Sequence, residues 1–329
     1  MISKRGWLVR EFLYHIANLN PERVKSAIPG SKGLDVLFWK TPNREFAHYT
    51  KRTKNGTKYE VYYPKKGAHK DNCIYYLHGG AYIGKQNWIY RYQSRYYSNA
   101  ADGATVVYVN YKTAPKHVYP AQLDAALDVW NEVILGELGF KAENVVCGGE
   151  SAGGNLTLGL MLKLRDEGKP MPRGAFCMSA WTDMTASGQS YEENYLVDAM
   201  FGNRKATNLT EELRQKFLDF DVYCWTKGAD RKCPYVSPVF GEYHGFPPMF
   251  FTVGTHEMLK SDTDTIVENL LKHGVDVTVH YGEGMWHVYT LWHGIVPEAT
   301  ESFKALCAFI NKSFDYYGYV YPKKEYFLS

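Results

Sequence analysis

The stretch from Asn144 to Glu167, NVVCGGESAGGNLTLGLMLKLRDE, decides how the rest of the chain is read. Its first residues are β-branched and apolar and predict a strand over Val145–Gly148. Its last sixteen carry leucines at helical spacing and predict a helix over Ala152–Glu167. Between them lies Gly149-Glu150-Ser151-Ala152-Gly153, a G-x-S-x-G. A turn this tight leaves no room for side chains at the flanking positions. It pushes the serine hydroxyl out over the end of the strand, in front of a helix N-terminus that favours developing negative charge.

A serine hydroxyl is a poor nucleophile until a base takes its proton, and the base must be held by a carboxylate. In a strand–turn–helix setting the expected chain order is serine, acid, histidine. Downstream, the strand PMFFTVG runs into Thr255-His256-Glu257, which places Glu257 in the following loop. The next strand, VDVTVHY, runs into Gly282-Glu283-Gly284-Met285-Trp286-His287, which places His287 before the last helix. Each has rivals. Asp262 and Asp264 fall in the first turn of a helix, where acids commonly serve only the helix dipole. His293 follows an apolar stretch, and His256 and His280 read as structural or pocket-lining. Upstream, His78-Gly79-Gly80-Ala81-Tyr82 follows the strand CIYYL, and a glycine turn there can aim amide N–H groups at an oxyanion.

Further strands are predicted at Leu34–Trp39, Glu45–Thr50, Lys58–Tyr63, Cys73–Leu77, Thr105–Asn110, Ala175–Ser179, Met249–Val253 and Val275–Tyr281, and further helices at Trp88–Ala101, Pro120–Gly136, Ser261–His273 and Pro297–Phe314. The early strands have no helices between them; after that strand and helix alternate. That order describes an α/β fold, an antiparallel start feeding a mostly parallel sheet with helices on both faces. Residues from about 185 to 236 break the rhythm with helices and loops and no clear strand, and a stretch this long is uncommon in a compact domain unless functional. The N-terminus reads as an amphipathic helix, not a secretion signal, because Arg10 and Glu11 interrupt it.

Composition excludes several classes. A net charge of +3 is too weak to imply a nucleic-acid or acidic-lipid partner. No apolar run reaches membrane-spanning length. No P-loop, dinucleotide fingerprint or H-E-x-x-H occurs, so no cofactor or metal is expected. The six cysteines show no C-x-x-C; a Cys224–Cys233 disulfide remains open, but a reduced, cytoplasmic setting fits better. Aromatic residues make up 16% of the chain, and packing is the expected use of most of them.

Beyond the turn at Ser151, the sequence resembles the hormone-sensitive-lipase-like branch of the α/β-hydrolase esterases. The resemblance runs from about residue 72 to the C-terminus. It is carried by HGGAY, by Tyr111, Ala114, Pro115, Tyr119, Pro120 and Ala121 within VNYKTAPKHVYPA, by GESAGGN, by SAWTDMTASGQS, by FPPMFFTVGTHEMLKSD and by GMWHVYTLW. It implies an α/β-hydrolase fold with Ser151 as nucleophile, Glu257 as acid, His287 as base, and the amides of Gly80, Ala81 and Ala152 as oxyanion donors. It departs from the family pattern at Ala81, where a third glycine is usual, at Glu150 and Glu257, where aspartates are usual, and at Lys116, where glutamate is usual. Activity should rise with pH as His287 loses its proton. The implied substrate is a small, soluble, short-acyl ester, with a non-catalytic small-molecule receptor or an amidase or peptidase as alternatives on the same fold. The implied organisation is a catalytic domain over residues 46–184 and 237–329, a cap insertion over 185–236, and an N-terminal helical part of the cap over 1–45. Tyr82, Trp88, Phe201 and Trp225 are candidates for setting acyl size, and analogy with relatives allows a homodimer.

Overall fold

The computed structural model describes residues 2–26, 45–86, 88–319 and 321, with Trp88 described by its backbone only; the strand expected at Leu34–Trp39 lies outside them. Eight strands form one sheet: β1 (Phe46–Arg52), β2 (Lys58–Pro64), β3 (Cys73–Leu77), β4 (Thr105–Asn110), β5 (Val145–Glu150), β6 (Gly174–Met178), β7 (Met249–Gly254) and β8 (Val277–Gly282). Their spatial order is β1-β2-β4-β3-β5-β6-β7-β8. β1 pairs with β2 and β2 with β4 antiparallel; every later pairing is parallel.

The central strands are apolar on both faces because both faces are covered. In β3, Cys73, Tyr75 and Leu77 point into one core and Ile74 and Tyr76 into the other. The first core is closed by α3 (Ala121–Asp128), α4 (Ala152–Asp166) and α7 (Lys260–Lys272), the second by α2 (Trp88–Ala100) and α8 (Pro297–Ser313). Tyrosines fill both cores; on the α2 side Tyr76, Tyr97 and Tyr108 are fully buried around one another.

Several element ends differ from expectation. β5 runs on to Glu150 because Gly149 and Glu150 still pair, with Leu77 on β3 and Cys177 and Met178 on β6. The helix expected to end at Gly136 is α-helical only to Asp128, then winds more widely from Val129 to Glu137. That winding keeps Val129, Trp130, Val133 and Ile134 all buried. At the N-terminus α1 (Lys4–Phe12) continues as one wide turn over Leu13–Ala17, and its Leu13 and Tyr14 pack on Met285, Trp286 and Tyr289. Residues 185–236 contain α5 (Ser190–Glu193), α6 (Glu211–Asp219) and a tight turn over Asp221–Thr226, with no strand. Cys224 and Cys233 are unbonded.

The parallel strands end on one edge of the sheet, where α4 enters with its first turn hard against β3. A Cβ on Gly153 would stand 1.9 Å from the Leu77 carbonyl oxygen and 2.7 Å from His78. Gly153→Ala is therefore expected to destabilise the protein by more than about 3 kcal/mol, since backbone cannot yield as a flexible side chain can. Urea unfolding would measure it.

Candidate active site

Ser151 is placed by the turn its neighbours force. Its φ is 55° and its ψ −121°, a conformation that non-glycine residues rarely adopt. Its amide donates to Met178 on β6, and its carbonyl accepts from Asn155 and Trp181, so the turn is held from both sides. The hydroxyl consequently faces the loops that leave β7 and β8.

Those loops supply Glu257 and His287. His287 Nε2 lies 3.0 Å from Ser151 Oγ, and its Nδ1 lies 2.9 Å from Glu257 Oε2. An ionised carboxylate only accepts, so Nδ1 carries the proton and Nε2 faces the hydroxyl as an acceptor. The other carboxylate oxygen of Glu257 accepts from the Gly254 amide at 2.5 Å and the Ser179 hydroxyl at 2.7 Å. Ser179 Oγ in turn accepts from the Val288 amide, next to the histidine. Glu257 is wholly buried and the other two nearly so.

The rival residues lie elsewhere. Asp262 accepts the amides of Thr182 and Asp183, and burial beside Asp183 pushes its carboxyl well above the usual range. Asp264 pairs with Lys260 at 2.6 Å on the surface. His293 is not part of a helix face; it is buried between Gln93 and Tyr321, and burial lowers its pKa to about 3. His280 bonds Tyr289, and His256 is half-buried; burial lowers the pKa of both.

The glycine turn after β3 curls back beside Ser151. Gly80, Ala81 and Tyr82 have φ of 103°, 51° and 58°. The Gly80 carbonyl accepts the amides of Ile83 and Gly84, which closes the turn. Among the described residues, no acceptor is found for the amides of Gly80, Ala81 or Ala152. Alanine stands in a left-handed conformation at the position expected for glycine, at a cost of about 1 kcal/mol.

Glu150 fastens this turn to the serine strand. It accepts from the Gly79 amide at 2.6 Å, Tyr76 Oη at 2.6 Å and Tyr90 Oη at 2.5 Å. Full burial outweighs these three donors and raises its pKa to about 7.

A cavity of about 50 Å³ opens at Ser151, lined by apolar and aromatic side chains from several parts of the chain, including Trp181 after β6 and Met258 and Leu259 after β7. Ala81 comes from the glycine turn, Leu19 from the N-terminal segment, and Phe201, Phe217, Phe220 and Tyr223 from residues 185–236. Phe201 also packs edge-on to the His287 ring at 4.9 Å. Of the four residues proposed from sequence to line a pocket, Phe201 does. Tyr82 and Trp225 instead pack on each other with tilted rings, centroids 4.1 Å apart, outside the lining. The Trp88 side chain lies outside what is described. Trp181 lies in the SAWTDMTASGQS motif, whereas Phe217, Phe220 and Tyr223 carried no signal in the sequence beyond aromaticity. Asp198 was also missed: it is buried and accepts the amides of Met200, Phe201 and Met258, tying the Phe201 turn to the Glu257 loop.

Comparison with known proteins bears on the fold that carries these residues. A family model described as alpha/beta hydrolase fold matches residues 74–291. An acetyl-hydrolase of Streptomyces hygroscopicus is 28% identical over 72% of this chain and 75% of its own length. Among solved structures, an esterase/lipase from an uncultured bacterium superposes with a TM-score of 0.81 at 25% identity, covering 95% of this chain and 99% of that one. A hormone-sensitive lipase from a metagenome library gives 0.77 at 25% identity over 95% and 99%.

Glu150 gives a pH test of the site's packing. Its folded pKa of about 7 lies above the ordinary 4.5, so its stabilising contribution is complete below pH 4.5 and is lost as pH rises through 7. Glu150→Gln removes that dependence. The variant should gain stability relative to wild type between pH 5 and 8, by up to about 3 kcal/mol. Denaturant unfolding across that range would show it, and a constant difference would exclude titration of this carboxyl there.

Proposed function

The chain belongs to the α/β-hydrolase fold family, and we propose that it is a serine carboxylic ester hydrolase acting on small, short-acyl esters. The observation that carries this reading is the unbroken line of hydrogen bonds from Ser151 through His287 to Glu257. In this reading His287 takes the Ser151 proton through Nε2 while the serine oxygen attacks the ester carbonyl. Glu257 holds the imidazole in the required tautomer and stabilises its charged form. The amides of Gly80, Ala81 and Ala152 receive the tetrahedral oxyanion. The alcohol leaves with the proton from His287. Water then attacks the acyl-enzyme by the same route and restores the serine.

The cavity supports the short-acyl part of the reading. At about 50 Å³ it has room for a few heavy atoms. No charged side chain lines it, so the acyl group should be neutral. Residues 185–236, together with the N-terminal segment, act as a cap that supplies most of the aromatic wall. The hydrolase name of the Streptomyces relative is consistent with an acetyl-sized group.

Hydrolysis of chromogenic esters from acetyl to decanoyl tests this directly. Turnover should be highest from acetyl to butyryl and fall for longer chains. Ser151→Ala should lose on the order of ten-thousand-fold in kcat, and Glu257→Gln somewhat less. Wild-type-like turnover by Ser151→Ala would overturn the assignment. A wild type inert on every ester would favour a ligand-binding role on the same fold.

A further inference from the structure

Among the described residues, the exposed large apolar side chains cluster on α1 and the wide turn that follows it. Trp7, Leu8, Phe12 and Ile16 are 49%, 59%, 43% and 69% exposed. The other large apolar side chains with comparable exposure, such as Tyr63, Phe240 and Leu271, are scattered singly along the chain. Scattered apolar residues are ordinary on a protein surface, whereas a contiguous set marks a contact. Leu8, Phe12 and Ile16 recur every four residues and so run along one flank of the helix.

Among the described residues, packing within the molecule leaves this flank exposed. The inward side is a different set, with Gly6, Leu13 and Tyr14 buried against Met285, Trp286, Tyr289 and Val296. The helix is thus apolar on two sides, one turned into the protein and one turned out.

The charges on the outward side have one sign. Lys4 and Arg5 are exposed among the apolar residues. The acidic residue of this helix, Glu11, is already paired with Arg204 at 2.6 Å and lies near Arg10 at 3.6 Å. A net charge of +3 does not by itself imply an acidic-lipid partner, but the local arrangement on this face suits an anionic bilayer, with phosphates for the cations and the acyl boundary for tryptophan, leucine, phenylalanine and isoleucine.

We propose that the outward face of this N-terminal helix docks the protein onto anionic lipid surfaces. The helix lies in the interface plane; no helix among the described residues is long and apolar enough to cross a membrane. Leu19, two residues beyond the wide turn, lines the cavity at Ser151, so docking holds that cavity near the lipid. The proposal does not rest on the ester-hydrolase reading, and its test uses no substrate.

The test is co-sedimentation of the full chain with vesicles of phosphatidylcholine alone and of phosphatidylcholine with about one-third phosphatidylglycerol. The protein should pellet with the anionic vesicles, less with the neutral ones, and less in high salt. The variant Leu8→Ser, Phe12→Ser, Ile16→Ser and the variant Lys4→Glu, Arg5→Glu should each lower the bound fraction about tenfold or more. Both should keep the wild-type circular dichroism and melting temperature; if the apolar variant melts early, the charge variant decides. Failure to pellet with anionic vesicles, or equal pelleting by wild type and the charge variant, overturns the proposal. So does a wild-type dimer in solution that the apolar variant dissolves, which would assign the face to a second copy.

Discussion

The rest of the structure is organised around the conformation of one residue. At φ 55° Ser151 occupies backbone space that costs about 1–3 kcal/mol for a residue with a side chain. Such a turn persists only where its surroundings over-determine it. Here the Met178 carbonyl holds the amide and the Ser151 carbonyl holds Asn155 and Trp181. A Cβ on Gly149 would stand 2.4 Å from the Leu77 carbonyl oxygen, so helix and strand can close on the turn only over glycine. β3, β5, β6 and α4 are all fixed by that closure. Because β5, β7 and β8 are parallel members of one sheet, their ends meet at the same edge, and the side chains leaving them reach one another.

Around that edge the loops are held chiefly by buried carboxylates. Glu150 holds the Gly79 amide, Asp198 the amides of Met200, Phe201 and Met258, and Asp262 the amides of Thr182 and Asp183. A loop at the sheet edge has backbone donors with no strand or helix partner, and these must be satisfied if the loop is buried. A carboxylate can satisfy two or three at once. The same burial works against its charge, raising Asp198 to about 6 and Glu150 to about 7. At both groups the pull of the amides and the penalty of burial act against each other.

Much of this was legible in the sequence where local chemistry determined the outcome. Strands buried on both faces announce themselves as continuous apolar runs, and the order of Ser151, Glu257 and His287 followed from the strands that precede them. Helix and strand ends were misjudged by a few residues where pairing overrode composition, as at Gly149 and Glu150. What was not legible was whatever depends on contacts between distant segments. Asp198 is a single acid within the apolar run Leu196–Phe201, and only folding brings it to Met258. The Tyr82–Trp225 contact removed two residues from the pocket that their aromaticity had suggested for it. The outward apolar flank of α1 was hidden because the inward flank is apolar too, and alternation by itself does not say which flank finds a partner.

The wall of the cavity is held in two different ways. The turn from Asp198 to Asn203 is fastened by buried polar bonds: Asp198 to three amides, Asn18 to the Ala199 and Gly202 carbonyls, and Asn20 to the Phe201 carbonyl. Asn194 adds bonds to the carbonyls of Thr255 and Glu257. Displacing this turn would strand several buried donors and a carboxylate, each costing about 1–3 kcal/mol. It would also pull Phe201 from the His287 ring. α6 is different. Only Phe217 of its nine residues is buried, and its polar ties include the Arg214–Glu192 ion pair, whose acidic partner is exposed. Exposed pairs contribute about 1 kcal/mol or less. The two sides of the cavity therefore differ sharply in what it costs to move them. The side that touches the histidine and its acid is the rigid one, and the side formed by Phe217 and the turn after it is where the wall yields most readily.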